Sequence, residues 1–171
     1  MELQDIYNKI KSHCAEAVLV EGELDSSISL PKESLLAVMK FLKEDSEMKF
    51  DCLQCQTAAH VGENFQLFYH LYSYSQKHKL VVEVTTPDVD AKVDSVAPLW
   101  RAGDWLERET FDLFGIDFQG HPDLRRIMLP EDWEGHPLRK DYVIQTTYQG
   151  LDNGPSEITK SFVLEKKGKN D

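Results

Sequence analysis

Hydrophobic residues in the amino-terminal part of the chain recur at helical spacing in two places. The first helix is predicted over residues 2–13, with a buried stripe formed by Leu3, Ile6, Tyr7 and Ile10. A short strand is predicted at Val18 and Val20, followed by a polar run over residues 21–27. The second helix is predicted to start at Ser29-Leu30-Pro31, because a proline in the first turn lacks only an N–H that a helix leaves unpaired. Its predicted buried face consists of Leu35, Leu36, Val38, Met39 and Leu42.

The middle of the chain has strand patterns instead. Three strand-length runs cover residues 50–59, 65–74 and 80–86, and the short segments between them suit hairpin connections. In the second run Phe65, Leu67, Tyr69 and Leu71 alternate with the other side chains. The pattern predicts an α+β fold, in which an antiparallel meander of about three to five strands packs with two to three helices.

After Pro87 the pattern changes again. A helix is predicted over residues 95–114 and is stopped by Gly115, whereas residues 117–142 are rich in glycine and proline and predict an irregular extension. We therefore predict an α+β domain over residues 1–116, an irregular segment over 117–148 that packs on the domain or on a partner, and a polar carboxy-terminal tail over 149–171.

The predicted late helix has apolar side chains on more than one face. One stripe, predicted to meet the sheet, consists of Leu99, Ala102, Leu106, Thr110 and Leu113. Three further aromatic side chains, Trp100, Trp105 and Phe111, lie off this stripe. Such a helix is usually covered on several sides, either by the irregular segment that follows it or by another protein, and both hypotheses stay open.

Charged residues on the same helix are spaced for ion pairing. Arg108 lies four residues from both Asp104 and Asp112, which predicts two pairs along one helix face. Each pair would contribute about 0.3–0.5 kcal/mol if exposed, whereas breaking a buried pair costs about 3–5 kcal/mol. Their importance therefore depends on burial.

Composition narrows the function classes. The 171 residues include 30 acidic and 19 basic side chains, for a net charge of −11, which disfavours binding to nucleic acids or to an anionic membrane surface. We expect neither a secretory leader nor a membrane-spanning segment, because no apolar run approaches about 20 residues. Three cysteines, an odd number, suggest a reducing compartment.

Two pairs of residues are candidate metal ligands. Cys52 and Cys55 form a C-x-x-C, but we expect residues three apart on a strand to point to opposite faces, which favours buried structural cysteines. His121 and His136 each precede a proline, and a stand-alone metal-dependent hydrolase that uses them is the competing function of another class. No H-E-x-x-H frame supports it, and turn-stabilising roles are favoured.

Residues 105–142 carry three blocks in order: E-R-E followed by D-L-F-G-I, then G-H-P-D-L-R-R-I, then P-L-R-K-D-Y. In this run the chain resembles the family of the C-type (30-kDa-type) subunit of respiratory NADH–quinone oxidoreductase, complex I. It departs from the usual family pattern at Arg101-Ala102-Gly103-Asp104 and in the strand run F-D-C-L-Q-C-Q-T.

The resemblance implies a non-catalytic structural or assembly subunit near the quinone-reducing module. It further implies docking mainly on the D-type subunit of complex I, with other iron–sulfur subunits nearby, on the cytoplasmic side of the membrane. No cofactor is expected in this chain; iron–sulfur clusters and FMN are expected in partner subunits that carry electrons from NADH to quinone with proton translocation. Relatives in membrane-bound hydrogenases and the photosynthetic NDH complex are an alternative.

The same blocks supply the candidate site residues. They form a charge network with neighbouring side chains, which either is internal or faces a partner: Trp105, Glu107, Arg108, Glu109, Asp112, His121, Arg125, Arg126, Arg139, Lys140 and Asp141. Arginine suits both roles, because its planar guanidinium binds carboxylates in a bidentate manner.

Overall fold

The structure, a computed structural model, describes residues 2–22 and 26–153. Three α-helices and nine strands are assigned within these residues. In chain order they are α1 (Leu3–His13), β1 (Val18–Val20), β2 (Ser27–Leu30), α2 (Leu35–Glu44), β3 (Cys52–Val61), β4 (Asn64–Ser73), β5 (His78–Pro87), β6 (Lys92–Asp94), α3 (Arg101–Phe114), β7 (Asp117–Gln119), β8 (Thr147–Tyr148) and β9 (Leu151–Asp152).

The main sheet has five strands in the order β1-β2-β5-β4-β3. Strands β3, β4 and β5 form the predicted antiparallel meander, and β1 pairs antiparallel with β2. The pair β2–β5 is parallel, so the sheet is mixed but mostly antiparallel. The predicted α+β class is confirmed, with five strands and three helices.

Strand β2 corrects the predicted start of the second helix. Residues 27–30 are a strand paired with residues 81–84 of β5, where Ile28 and Leu30 are buried. Pro31 has an extended conformation and ends this strand, a 3-10 turn over Lys32–Ser34 follows, and α2 begins at Leu35. A four-residue strand is too short to show its alternation clearly, and a proline suits either a helix start or the end of a strand.

One face of the meander forms the core together with the helices. Phe65, Leu67, Tyr69 and Leu71 of β4 are buried as predicted. They share a single hydrophobic cluster with Ile6 and Ile10 of α1 and with Leu35, Val38, Met39 and Leu42 of α2. Leu36 is the exception in the predicted α2 face, since 36% of its surface is exposed.

Helix α3 begins six residues later than predicted, and its buried stripe matches the predicted one only in part. Its inward stripe includes Gly103, Glu107, Thr110 and Phe114. Of the predicted stripe, Thr110 is buried, Ala102 is exposed, and the three leucines are partly buried against the core: Leu99, Leu106 and Leu113. Gly103 allows close packing, because a Cβ there would lie 3.1 Å from the backbone of Ala97. Thr110 donates a hydrogen bond to the Gln56 side chain of β3 (3.0 Å). A hydrophobicity pattern does not recognise the glycine and the glutamate on this face, Gly103 and Glu107.

The chain divides into two compact units, and the second begins at Asp141. The second unit contains the antiparallel pair β8–β9, which is connected through Gln149 and Gly150, both at positive φ. Most of the predicted polar tail, residues 154–171, lies outside the described residues. The three-part division proposed from the sequence stays a prediction.

No helix in the described part of the chain combines the length and the hydropathy needed to cross a bilayer.

Gly115 ends α3 in the left-handed conformation (φ 78°), and a Cβ there would lie 2.6 Å from the His136 ring. Gly62 in the β3–β4 turn has a similar φ of 62° with open space around it. We expect Gly62→Ala to cost about 1–2 kcal/mol of unfolding free energy from backbone strain alone. Gly115→Ala should cost clearly more, measured by urea denaturation, because His136 must also move. Equal losses would contradict the contact with His136.

Candidate functional site

The irregular segment after β7 folds back along α3. The His121 ring donates to the carbonyl of Asp104 (3.0 Å), the His136 ring lies 2.9 Å from the carbonyl of Asp112, and the Leu138 N–H donates to the carbonyl of Leu113 (3.0 Å). The segment therefore contacts α3 from its first turn to its last. This supports the hypothesis that the following segment covers the helix.

Asp112 anchors the middle of this segment. One carboxylate oxygen accepts three consecutive backbone N–H groups, from Ile127 (3.0 Å), Met128 (2.7 Å) and Leu129 (2.9 Å). The other oxygen accepts from the Arg126 guanidinium at 2.6 Å. The Asp112 side chain is fully buried, and burial alone would favour the neutral acid. The donated hydrogen bonds outweigh burial and lower the pKa of Asp112.

Arg126 joins three parts of the segment around this carboxylate. Besides its pair with Asp112, its guanidinium donates to the carbonyl of Gly135 (2.9 Å). The His136 ring follows directly and packs edge-on against Phe111. Arg126 and Asp112 are thus an internal pair of the predicted charge network.

Glu107 lies more than one helical turn earlier and has a different environment. Its side chain is fully buried and accepts hydrogen bonds from the Ser95 hydroxyl and the Val96 N–H, both at 2.6 Å. No ion pair within the described residues joins it to a lysine or an arginine. Burial, opposed by these hydrogen bonds, raises the pKa of Glu107 from 4.5 to about 7, and the nearby Asp104 adds to the rise. Glu107 therefore binds a proton near neutral pH.

The His121 ring lies close to Glu107. Its Nε2 lies 3.9 Å from Glu107 and 3.5 Å from the Asp104 carboxylate, and its side chain is fully buried. The Asp123 N–H donates to the His121 Nδ1 (3.0 Å), so Nδ1 is an acceptor and Nε2 carries the hydrogen. In this arrangement the ring donates only from Nε2, and that hydrogen bond goes to the carbonyl of Asp104.

The predicted ion pairs of Arg108 are not formed. Arg108 pairs with neither Asp104 nor Asp112 among the described residues. It is 5% exposed, donates to the carbonyl of Arg125 (3.3 Å) and lies 5.0 Å from the Trp105 ring centroid. Asp112 is turned toward the returning segment, which offers it four donors, and the i,i+4 spacing therefore does not decide its partner.

The remaining basic residues of the third block contact β3 and the end of β5. Arg139 pairs with Asp88 at 3.9 Å and lies 5.2 Å from the Phe65 ring centroid. The Lys140 N–H donates to the buried His60 ring (3.0 Å), whose other nitrogen lies 3.3 Å from Asp88. These contacts tie the end of the segment to the sheet. Asp88 and His60 were not singled out from the sequence, because neither belongs to a recognisable block.

Four further predicted site residues are exposed. Arg125 forms a surface pair with its neighbour Asp123 (2.9 Å). Glu109 and Trp105 lie on the uncovered side of α3, and 63% of the Trp105 surface is exposed. Asp141 is exposed at the start of the second unit. The Trp105 side of α3 is therefore the part of the predicted network that is most accessible to a partner.

The two histidines of the hydrolase hypothesis do not come together. They bind carbonyls eight residues apart on α3, which corresponds to about 12 Å along a helix. Within residues 2–22 and 26–153, no group of three or more His, Cys, Asp or Glu side chains is arranged to hold a metal ion. Both histidines instead stabilise the turns that seat the segment on α3.

Comparisons with solved structures identify the fold. A trypsin-resistant fragment (1–134) of Nqo5 superposes with a TM-score of 0.63 at 27% identity, covering 72% of this chain and all of that one. A chain of the archaeal membrane-bound sulfane sulfur reductase, a respiratory membrane complex, superposes with a TM-score of 0.71. It is 21% identical and covers 91% of this chain and 96% of that one, so it shows the fold alone.

Sequence comparisons identify the family. The profile of the respiratory-chain NADH dehydrogenase 30 kDa subunit matches residues 28–148. The C-type subunit of the NADH-quinone oxidoreductase of Chloroherpeton thalassium is 37% identical over 85% of this chain, which spans 62% of that relative's length. The C-type subunit of Citrifermentans bemidjiense is 39% identical over 80% of this chain and 87% of its own length. The chain belongs to the family of the respiratory-chain NADH dehydrogenase 30 kDa subunit.

We expect Asp112→Asn to destabilise the protein by about 3–5 kcal/mol, because Arg126 loses its buried anion and the amide NH₂ faces other donors. Urea denaturation of the purified chain measures this loss. Asp123→Asn is the matched control, since it removes an exposed carboxylate that also pairs with an arginine and should change stability little. Similar effects of the two substitutions would contradict the anchoring role of Asp112.

The raised pKa of Glu107 predicts a pH-dependent stability. Because the folded state holds this proton more tightly than the unfolded state, the free energy of unfolding should fall as the pH rises from 4.5 to about 7. The shift corresponds to about 3 kcal/mol. Glu107→Gln should remove most of this decline, whereas Glu109→Gln, on the exposed side, should retain it. Denaturant titrations across this pH range test the prediction, and parallel curves for wild type and Glu107→Gln would refute it.

Proposed function

We propose that this chain is a non-catalytic structural subunit of an NADH:quinone oxidoreductase, in the position that the C-type subunit occupies among its relatives. The observation that carries the proposal is the family match over residues 28–148, which includes every element that seats the returning segment on α3. The buried titratable groups of that region hold the fold together through backbone and side-chain hydrogen bonds.

The proposed partner surface is the uncovered side of α3. The returning segment covers the Asp112 side of the helix, whereas Arg101, Trp105 and Glu109 remain exposed one helical turn apart. The Arg108 guanidinium lies 5.0 Å from the centroid of the Trp105 ring, which is a cation–π contact. Tryptophan and arginine are among the residues most often found at the centres of protein interfaces.

The proposed main partner is the D-type subunit of the same complex. In this proposal the iron–sulfur clusters and FMN belong to partner subunits, and the chain is held at the cytoplasmic side of the membrane through the complex. The role of this chain is to stabilise the quinone-reducing module during assembly, while electrons pass from NADH to quinone in its neighbours.

Affinity capture of the tagged chain from its native membranes tests this role. We expect recovery of the D-type subunit with NADH-binding and iron–sulfur subunits. Recovery of hydrogenase subunits in their place would transfer the role to that related complex. Capture of the chain without any of these subunits would refute the proposal.

Trp105→Ala should reduce recovery of the partner at least about tenfold, because an interface tryptophan commonly contributes about 2 kcal/mol or more. The unfolding transition of the Trp105→Ala variant should differ little from that of the wild type, since the Trp105 side chain is largely exposed. Tyr74→Ala is the matched control, because Tyr74 is an aromatic residue of similar exposure (65%) at the β4–β5 turn. Equal recovery with both variants would exclude the Trp105 side of α3 as the main contact.

A further inference from the structure

A β-bulge changes the orientation of the C-x-x-C cysteines in edge strand β3. Cys52 pairs with Tyr72 and Cys55 pairs with His70, and the register shifts between Leu53 and Cys55, which leaves Gln54 unpaired. Directly opposed residues on antiparallel strands share a face. Tyr72 and His70 both lie on the face opposite the core residues of β4. Cys52 and Cys55 therefore project from the same outer face, contrary to the expectation from an unbroken strand.

Both thiols are free and accessible. Cys55 is exposed and Cys52 is half-buried, whereas Cys14, the remaining cysteine of the chain, is buried in the core. The bulge therefore creates an exposed dithiol on a surface that otherwise consists of the outward side chains of three strands. Two sulfurs are enough to chelate an atom that forms two bonds to thiols, so such a site needs no third protein ligand.

The spacing favours a bridging atom over a disulfide. The cross-strand partners of the two cysteines are two residues apart, which corresponds to about 7 Å along a strand. An unstrained disulfide requires Cα atoms within about 6.8 Å and closely approaching Cβ atoms, so a direct S–S bond would need the strand to distort. A single atom bound to both sulfurs lengthens the bridge by one bond, so the Cα atoms can lie farther apart than in a disulfide.

We propose that Cys52 and Cys55 form a chelating site for trivalent arsenicals. An arsonous acid, R–As(OH)₂, loses both hydroxyl groups as the two sulfurs bind arsenic. Two As–O and two S–H bonds break, two As–S bonds form, and two water molecules leave with the thiol protons. Arsenic remains trivalent throughout, and neither an oxidant nor a reductant takes part.

The test uses the purified, reduced full-length chain with phenylarsine oxide at equal concentration and intact-mass spectrometry. We expect one phenylarsenic group per chain with the loss of two hydrogens. The adduct should survive excess 2-mercaptoethanol and be released by 2,3-dimercaptopropanol, because two thiols on one scaffold bind with a high effective concentration. Cys14→Ser should retain the adduct, whereas Cys52→Ser and Cys55→Ser should each weaken it at least about tenfold.

The double variant Cys55→Ser/Thr57→Cys is the matched control. Thr57 is exposed and pairs with Phe68, so the two thiols remain on the outer face at about twice the span, roughly 14 Å. This variant should bind phenylarsine oxide as weakly as the single serine variants. Binding equal to wild type, an adduct that requires Cys14, or no adduct on the folded wild-type chain would each overturn the proposal. Thermal unfolding of every variant checks that the fold is retained.

Discussion

The buried carboxylate of Asp112 determines the course of the chain after α3. A fully buried aspartate is tolerated only when its oxygens are hydrogen-bonded, and Asp112 meets this condition with three backbone N–H groups and Arg126. The segment over residues 121–139 has no helix or strand of its own, so its backbone groups need partners elsewhere. Asp112 meets both requirements at residues 127–129 and so fixes the middle of the irregular segment on α3.

Glu107 lies on the same helix, but its pKa shifts in the opposite direction to that of Asp112. Both carboxylates are buried, but Glu107 receives fewer donors and, among the described residues, no lysine or arginine. Burial therefore dominates and its pKa rises to about 7, while that of Asp112 falls. One helix thus carries a carboxylate whose pKa is lowered and a carboxyl group whose pKa is raised to about 7. The covered side of α3 is stabilised internally, which leaves Trp105 on the other side for the proposed partner.

The sequence predicted the meander and the first helix correctly because hydrophobic residues recur in them at an uninterrupted spacing. The alternation through Phe65 and Leu71 locates β4 and its inward face, and its flanking turns locate β3 and β5. The start of the second helix was wrong because β2 is too short to display a period. The predicted inward stripe of α3 was partly right, since Thr110 is buried and Leu106 and Leu113 pack against the core, but Gly103 and Glu107 also face inward and neither is recognised by hydrophobicity. The bulge at Gln54 similarly reversed the expected orientation of a cysteine.

The sequence by itself determined the α+β class, the order of the main elements and, through three blocks of residues, the family. These properties depend on local periodicity and on residues that are neighbours along the chain. Only the tertiary structure decided that Asp112 pairs with Arg126 and not with Arg108, and that Glu107 is buried against hydrogen-bond donors that carry no charge. Burial and the choice of partner arise from segments that are distant in sequence, and the energy of a charge depends on both.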